Sequence, residues 1–218
     1  MKFDAKIIQI LKNFANINPS IVFKPGKTLS TISQTKTILA RAHIDQEITE
    51  TFGIYDLNRF LSTMSLFENP SIDIRENEMV IKSGARKATY RFTSADLIMT
   101  APEKEIKFPN AEVQFDLHGV DLQECLKALN VLGLPEIAIV GDGTNIMLQA
   151  IDSKNPSCDV YSTNVGETND TFKMIFRSEN LKMIPGSYKV IVSSKGLSKF
   201  YNNEIEYYVS VEANSTFG

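Results

Sequence analysis

Leu11-Lys12-Asn13-Phe14-Ala15-Asn16-Ile17-Asn18-Pro19-Ser20-Ile21-Val22-Phe23 and Leu126-Lys127-Ala128-Leu129-Asn130-Val131-Leu132-Gly133-Leu134-Pro135-Glu136-Ile137-Ala138-Ile139 are one passage written twice. Each runs from a Leu-Lys pair through a proline into a short apolar run. Lys12 to Lys127 is an offset of 115 residues, and Pro19 to Pro135 an offset of 116. A period of half of a 218-residue chain predicts two similar domains.

Outward from the first copy, Ile7, Ile8, Leu11, Phe14 and Ala15 fall at helical spacing behind Asp4, a residue suited to capping a helix. Short apolar stretches follow at Ile21 to Phe23, Thr28 to Ile32, Ile38 to Ile44 and Ile48 to Phe52, with Pro25-Gly26 as a turn. A second helix opens at Asp56, with Leu57, Phe60, Leu61, Met64 and Phe67 inward. Strands at 72–74, 79–81 and 89–92 complete the half.

The second copy repeats that order. Asp121, with Glu124 three residues later, predicts a capped helix burying Leu122, Cys125, Leu126, Leu129 and Leu132. Strands 136–140 and 144–151 pair across Gly141-Asp142-Gly143. A short helix is predicted from Ser178 to Ile184, ending at Pro185-Gly186, before strands 187–193 and 205–212. Residues 94–109, with Pro102, Pro109 and Glu103-Lys104-Glu105, read as an extended connector. The expected domains are 1–105 and 106–218, in an α+β fold whose halves each hold two helices and antiparallel strands.

The charge balance limits the functions available. The chain has 23 Lys+Arg against 26 Asp+Glu, a formal net charge of -3, so nucleic-acid binding cannot rest on an overall basic surface. Residues 1–108 hold 15 basic and 12 acidic side chains, against 8 and 14 in residues 109–218. Contact between unlike halves of successive copies is therefore electrostatically favourable. Cys125 and Cys158, placed in a helix and a strand, read as buried thiols, and no stretch reaches the ~20 apolar residues of a membrane span.

Outside their first turns, the predicted helices carry only basic ionisable residues. Their outward faces hold Lys6, Gln9 and Asn13; Arg59, Ser62 and Thr63; Gln123, Lys127 and Asn130; and Lys182. Solvated helix faces often look like this, and a late lysine complements the helix dipole. Recurrence on four helices of an acidic chain shifts the reading toward phosphate contact without base recognition, which suits sliding. No catalytic residue is identified: there is no phosphate loop, metal-spaced Cys/His set or nucleophile elbow, and no cofactor is implied. His43 reads as a strand-face residue and His118-Gly119 as a turn.

Against this background the chain resembles the DNA polymerase processivity clamps of T-even-type bacteriophages. The resemblance rests on Ile10-Leu-Lys-Asn-Phe-Ala-Asn-Ile-Asn18, Ile54-Tyr-Asp-Leu-Asn-Arg-Phe-Leu61, Met183-Ile-Pro-Gly-Ser-Tyr-Lys-Val190 and Tyr208-Val-Ser-Val-Glu-Ala-Asn-Ser-Thr216. It implies two clamp domains, inner helices under an outer sheet layer, and a homotrimeric ring around duplex DNA in the cytoplasm of an infected bacterium. The implied partners are the phage polymerase, an ATP-dependent clamp loader and, further, late transcription factors. By position, Lys6, Lys12, Asn13, Arg59, Lys127 and Lys182 would face DNA. Leu97, Ile98, Met99, Ile106 and Phe217 would line a groove for partner peptides. The competing reading is a β-rich oligomeric structural or binding module with no DNA linkage.

Overall fold

The structure, a computed structural model, describes residues 3–218. Residues up to Glu103 and residues from Lys104 pack as two compact units. The first contains α1 (Ala5–Ile17), β1 (Ile21–Phe23), β2 (Gly26–Ile32), β3 (Ile38–Ile48), β4 (Phe52–Ile54), α2 (Leu57–Met64), β5 (Ser71–Ile74), β6 (Glu78–Ser83) and β7 (Arg86–Arg91). Here β1 pairs with β4, β2 with β3, and β5, β6 and β7 form a meander, all antiparallel.

Both helices of this unit are started by aspartate. Asp4 accepts from the Ile7 amide at 2.8 Å and Asp56 from the Arg59 amide at 2.8 Å, each satisfying an amide with no partner inside the helix. The buried stripe of α1 is Ile7, Ile10, Leu11, Phe14, Ala15 and Ile17. Beneath the helices the rings of Phe3, Phe23, Phe52 and Phe92 stack in a row, with centroid spacings of 5.7, 4.6 and 4.7 Å. Gly53 lies on this layer because a Cβ there would stand 2.5 Å from the Thr93 carbonyl oxygen. The connector starts out fixed to this unit: Lys24 pairs with Glu103 at 2.5 Å, and Arg41 donates to the Pro102 carbonyl at 2.5 Å.

The second unit contains β8 (Val113–Leu117), α3 (Gly119–Leu132), β9 (Glu136–Asp142), β10 (Asn145–Ile151), β11 (Tyr161–Glu167), β12 (Thr171–Arg177), β13 (Tyr188–Ser193), β14 (Leu197–Tyr201), β15 (Ile205–Ser210) and β16 (Thr216–Phe217). One antiparallel sheet runs β11-β10-β9-β12-β16, and β15, β14, β13 and β8 lie side by side in another. The backbone repeats one feature of the first unit closely. The Pro19 carbonyl accepts from the Leu57 amide at 2.7 Å, and the Pro135 carbonyl from the Ser178 amide at 3.1 Å. Ser178 thus stands where α2 begins in the first unit.

Several expectations are corrected. The helix predicted over 178–184 is a single 310 turn, Ser178–Asn180, so the second unit has one α-helix among the described residues and not two. Its cap position is Arg177, whose side chain makes no capping bond, and Pro185 biases Ile184 toward extended backbone. Helix α3 begins at Gly119 with His118 at its cap, so Asp121 sits in the first turn and Glu124 beyond it, with no capping box. Leu126 and Leu132 are not fully buried, Phe67 lies beyond α2, and Cys158 sits half-buried in a loop rather than a strand. The stretch Ile48 to Phe52 spans the gap between β3 and β4.

Candidate nucleic-acid interface

With 3.6 residues per turn, the exposed and half-exposed Lys12, Asn16, Gln9, Asn13 and Lys6 fall within an arc of about 120° on α1, opposite its buried stripe. Lys12 is exposed, whereas Lys6 and Asn13 are half-buried and lean toward neighbouring groups. The nearest acid on this helix, Asp4, is engaged at the cap.

On α2, Arg59 is exposed in the first turn, flanked by the exposed Asn58 and Ser62. Asp56 is held twice. Its side chain caps the helix, and its carbonyl accepts both the Phe60 amide, at 3.0 Å, and the Tyr90 hydroxyl, at 3.0 Å. Partial burial, and after it the Asp56 charge, raises the Tyr90 pKa above the usual phenol value.

On α3, Gln123, Lys127 and Asn130 line one exposed edge at spacings of four and three. Asn130 turns back onto the Leu126 carbonyl at 2.9 Å, leaving Lys127 as the cation of that edge. The patterning missed two features here. Val120 and Val131 are exposed at 64% and 77% on either side of Lys127, although apolar residues on a helix ordinarily mark its inward stripe. Glu124 lies past the first turn beside Tyr161 of β11, where partial desolvation and then the Glu124 carboxylate push the phenol pKa up. An acid is therefore present on this helix beyond its first turn, contrary to the charge reading above.

Lys182 is exposed, but on a loop rather than a helix. The four predicted cationic faces are thus three helical faces and one loop.

The predicted peptide groove divides between the units. Leu97 and Met99 are exposed and Ile98 is buried. All three border an open pocket of about 650 Å³ with Asn18, Pro19, Tyr55 and Asp56. A 310 turn at Ala95–Leu97 produces this alternation. Tyr55, 64% exposed, is an apolar wall that sequence reading did not single out, although an aromatic residue just before a cap was visible. Phe217 lies in the second unit, stacked on Phe172 at 6.1 Å beside a separate depression of about 270 Å³. Ile106 is half-buried and borders neither pocket. Among the described residues no cluster of three or more His, Cys, Asp or Glu is arranged to hold a metal ion.

Comparison with known proteins bears on both halves. Residues 2–98 match the DNA polymerase processivity factor family, and residues 114–213 match the C-terminal family of the gp45 sliding clamp. Among curated relatives, the sliding clamp of Vibrio phage KVP40 is 36% identical across 98% of this chain and 100% of its own length. That of Enterobacteria phage T4 is 32% identical across 99% of both. Among solved structures, an A. fulgidus PCNA bound to the C-terminal region of FEN-1 superposes with a TM-score of 0.70 at 10% identity, covering 96% of each chain. A Helicobacter pylori beta clamp bound to a DNA ligase peptide gives 0.72 at 13% identity, over 97% of this chain and 65% of the other.

Proposed function

As the chain belongs to the bacteriophage sliding-clamp family of DNA polymerase processivity factors, we propose that three copies close into a ring that encircles duplex DNA. The ring tethers the replicative polymerase and catalyses nothing itself. The observation that carries the DNA-facing assignment is the segregation on the first unit's helices. The acids Asp4 and Asp56 are consumed as caps, while Lys12 and Arg59 stand exposed with amides around them. Such a surface meets phosphates through long, mobile cations and reads no base edges, so contact is retained as the ring moves. Lys6, Asn13, Lys127 and Lys182 complete the proposed lining.

Ring closure follows from the free sheet edges. Strand β7, with Arg86, Lys87 and Arg91, ends one sheet of the first unit, and β11, ending in Glu167, is the outer strand of a sheet in the second. Pairing β7 of one copy with β11 of the next covers both edges and joins the basic half to the acidic half. A head-to-tail contact of this kind closes when its rotation is one third of a turn. The two clamp domains, divided near residue 105, then alternate around the ring. An ATP-driven loader opens it in the cytoplasm of the infected bacterium. Polymerase, and late transcription factors in turn, dock an apolar peptide on Leu97, Ile98 and Met99, with Ile106 and Phe217 as further contacts.

Charge reversal at Lys12 together with Lys182 tests the lining. Light scattering is expected to show three copies of the 24.4 kDa chain as before, while polymerase processivity on a primed circle falls and DNA retention depends less steeply on salt. Unchanged processivity in a correctly assembled double variant would remove these residues from the lining. A strict monomer at high wild-type concentration would remove the ring.

A further inference from the structure

The second unit lacks the helix that its counterpart has, and something else must hold the segment that carries Lys182. After the 310 turn the Met183 amide bonds to the Leu181 carbonyl at 3.0 Å, which places Lys182 at the apex of a three-residue turn. Leu181 is buried on one side of this turn. On the other side both backbone groups of Ile184 are taken by tyrosines. Its amide donates to the Tyr207 hydroxyl at 3.0 Å, and its carbonyl accepts from the Tyr188 hydroxyl. The two hydroxyls also bond to each other. Tyr188 spends its proton on the Ile184 carbonyl, so Tyr207 donates to Tyr188 and the hydrogen bonds close in a cycle through Ile184. The rings pack edge to face at 5.9 Å, and both are buried at 3% or less.

The far end of the loop is equally confined. A Cβ on Gly119, the first residue of α3, would stand 2.8 Å from the Gly186 backbone, and the Gly119 amide donates to the Ser187 hydroxyl at 3.1 Å. The segment from Leu181 to Ser187 is therefore fixed at Leu181, Ile184 and Gly186-Ser187. Lys182 and Met183 form the short span between the first two anchors.

We propose that Tyr188 and Tyr207 are a positioning pair for the DNA-facing surface, replacing the absent helix and fixing Lys182 where it meets the phosphate backbone. The proposal rests on the reading that Lys182 faces DNA. The tyrosines touch no DNA themselves. They satisfy the amide and carbonyl that a continued helix would have bonded, and without them Ile184 would be left with two unpaired half-buried groups. Their effect on DNA is thus exerted through the turn.

The test is a titration of the assembled ring with a short linear duplex, followed by NMR at several salt concentrations, comparing wild type, Lys182→Gln, Tyr207→Phe, Tyr188→Phe and the Tyr207→Phe/Lys182→Gln double variant. Losing one phosphate contact makes the slope of log K against log salt shallower by about 0.9. Lys182→Gln is expected to show that change, Tyr207→Phe to show most of it with every charge retained, and the double variant to show no more than Lys182→Gln. Tyr188→Phe, which retains the amide bond to Tyr207, is expected to behave likewise but more weakly, and it carries the test should Tyr207→Phe fail to assemble. If the tyrosine variants melt earlier yet keep the wild-type slope while Lys182→Gln loses it, the pair is merely structural and the proposal falls. If Lys182→Gln itself keeps the wild-type slope, it is the DNA-facing reading of Lys182 that fails, and the proposal with it.

Discussion

Removing the Asp56 side chain isolates one link between sequence, local structure and the proposed DNA surface. Asp56→Ala deletes the acceptor that holds the Arg59 amide at 2.8 Å, at the head of a helix only eight residues long. Cap losses of this kind cost about 1 kcal/mol. In a chain of this size that lowers the melting temperature by roughly 2–4 °C. Asp56→Asn keeps an acceptor oxygen and should recover most of the difference. The bond from Tyr90 goes to the Asp56 carbonyl, which survives either change, so Tyr90→Phe removes a second and separate restraint on the same residue. Because both restraints act on one backbone unit, the double variant should deviate from additivity by ~0.5 kcal/mol or more. Thermal unfolding followed by circular dichroism compares these four variants with wild type. Duplex affinity should fall in Asp56→Ala, but less than in Arg59→Gln, since fraying displaces the guanidinium without removing it. If Asp56→Ala melts with wild type and Asp56→Asn is no better than alanine, the cap does not hold α2, and the account of how Arg59 is presented fails.

Stability should fall as pH rises from about 9, where the unfolded Cys125 thiol ionises, and more steeply from about 10 toward about 12. Burial lifts Tyr188 from 10.0 to about 12, Cys125 from 9.0 to about 12, and Tyr207 upward as well. The native state then keeps protons that the unfolded chain releases, at about 1.4 kcal/mol per pH unit for each such group, and Tyr188→Phe should flatten that decline in urea titrations at pH 10 to 12. Thr31 has a buried hydroxyl oxygen with no hydrogen-bond partner among the described atoms, so Thr31→Val should be neutral or stabilise by up to ~1 kcal/mol; a clear loss would reveal an unrecognised bond. Gly119→Ala drives a Cβ into the Gly186 backbone and should cost ~1–3 kcal/mol, whereas Gly186→Ala points into open space; equal costs would refute the asymmetry.

The helices of the first half were legible because their apolar residues repeat at three and four and an aspartate stands at each cap position. The β9–β10 hairpin was legible from its glycine turn. Strand β11 was not. Its residues Tyr161-Ser-Thr-Asn-Val-Gly-Glu167 are polar nearly throughout, and an edge strand with little to bury leaves no period. The 310 turn was misread because Leu181 and Ile184 stand three apart, as in a helix, although tyrosines more distant in the chain hold the backbone there. For the cationic surface, the residue types and the caps Asp4 and Asp56 could be read from sequence, but not where α3 begins. Glu124 is the case in point, since moving the start of α3 by three residues took it out of the first turn.

The paired carbonyl bonds from Pro19 and Pro135 bear on how two such halves drift apart after duplication. Both are made by main-chain atoms, which substitution does not change, and they fix only where the next segment starts. Beyond that start the two halves differ, with the helix α2 in the first and a 310 turn in the second. A joint of this kind lets one copy acquire a new local conformation while its strands keep their places.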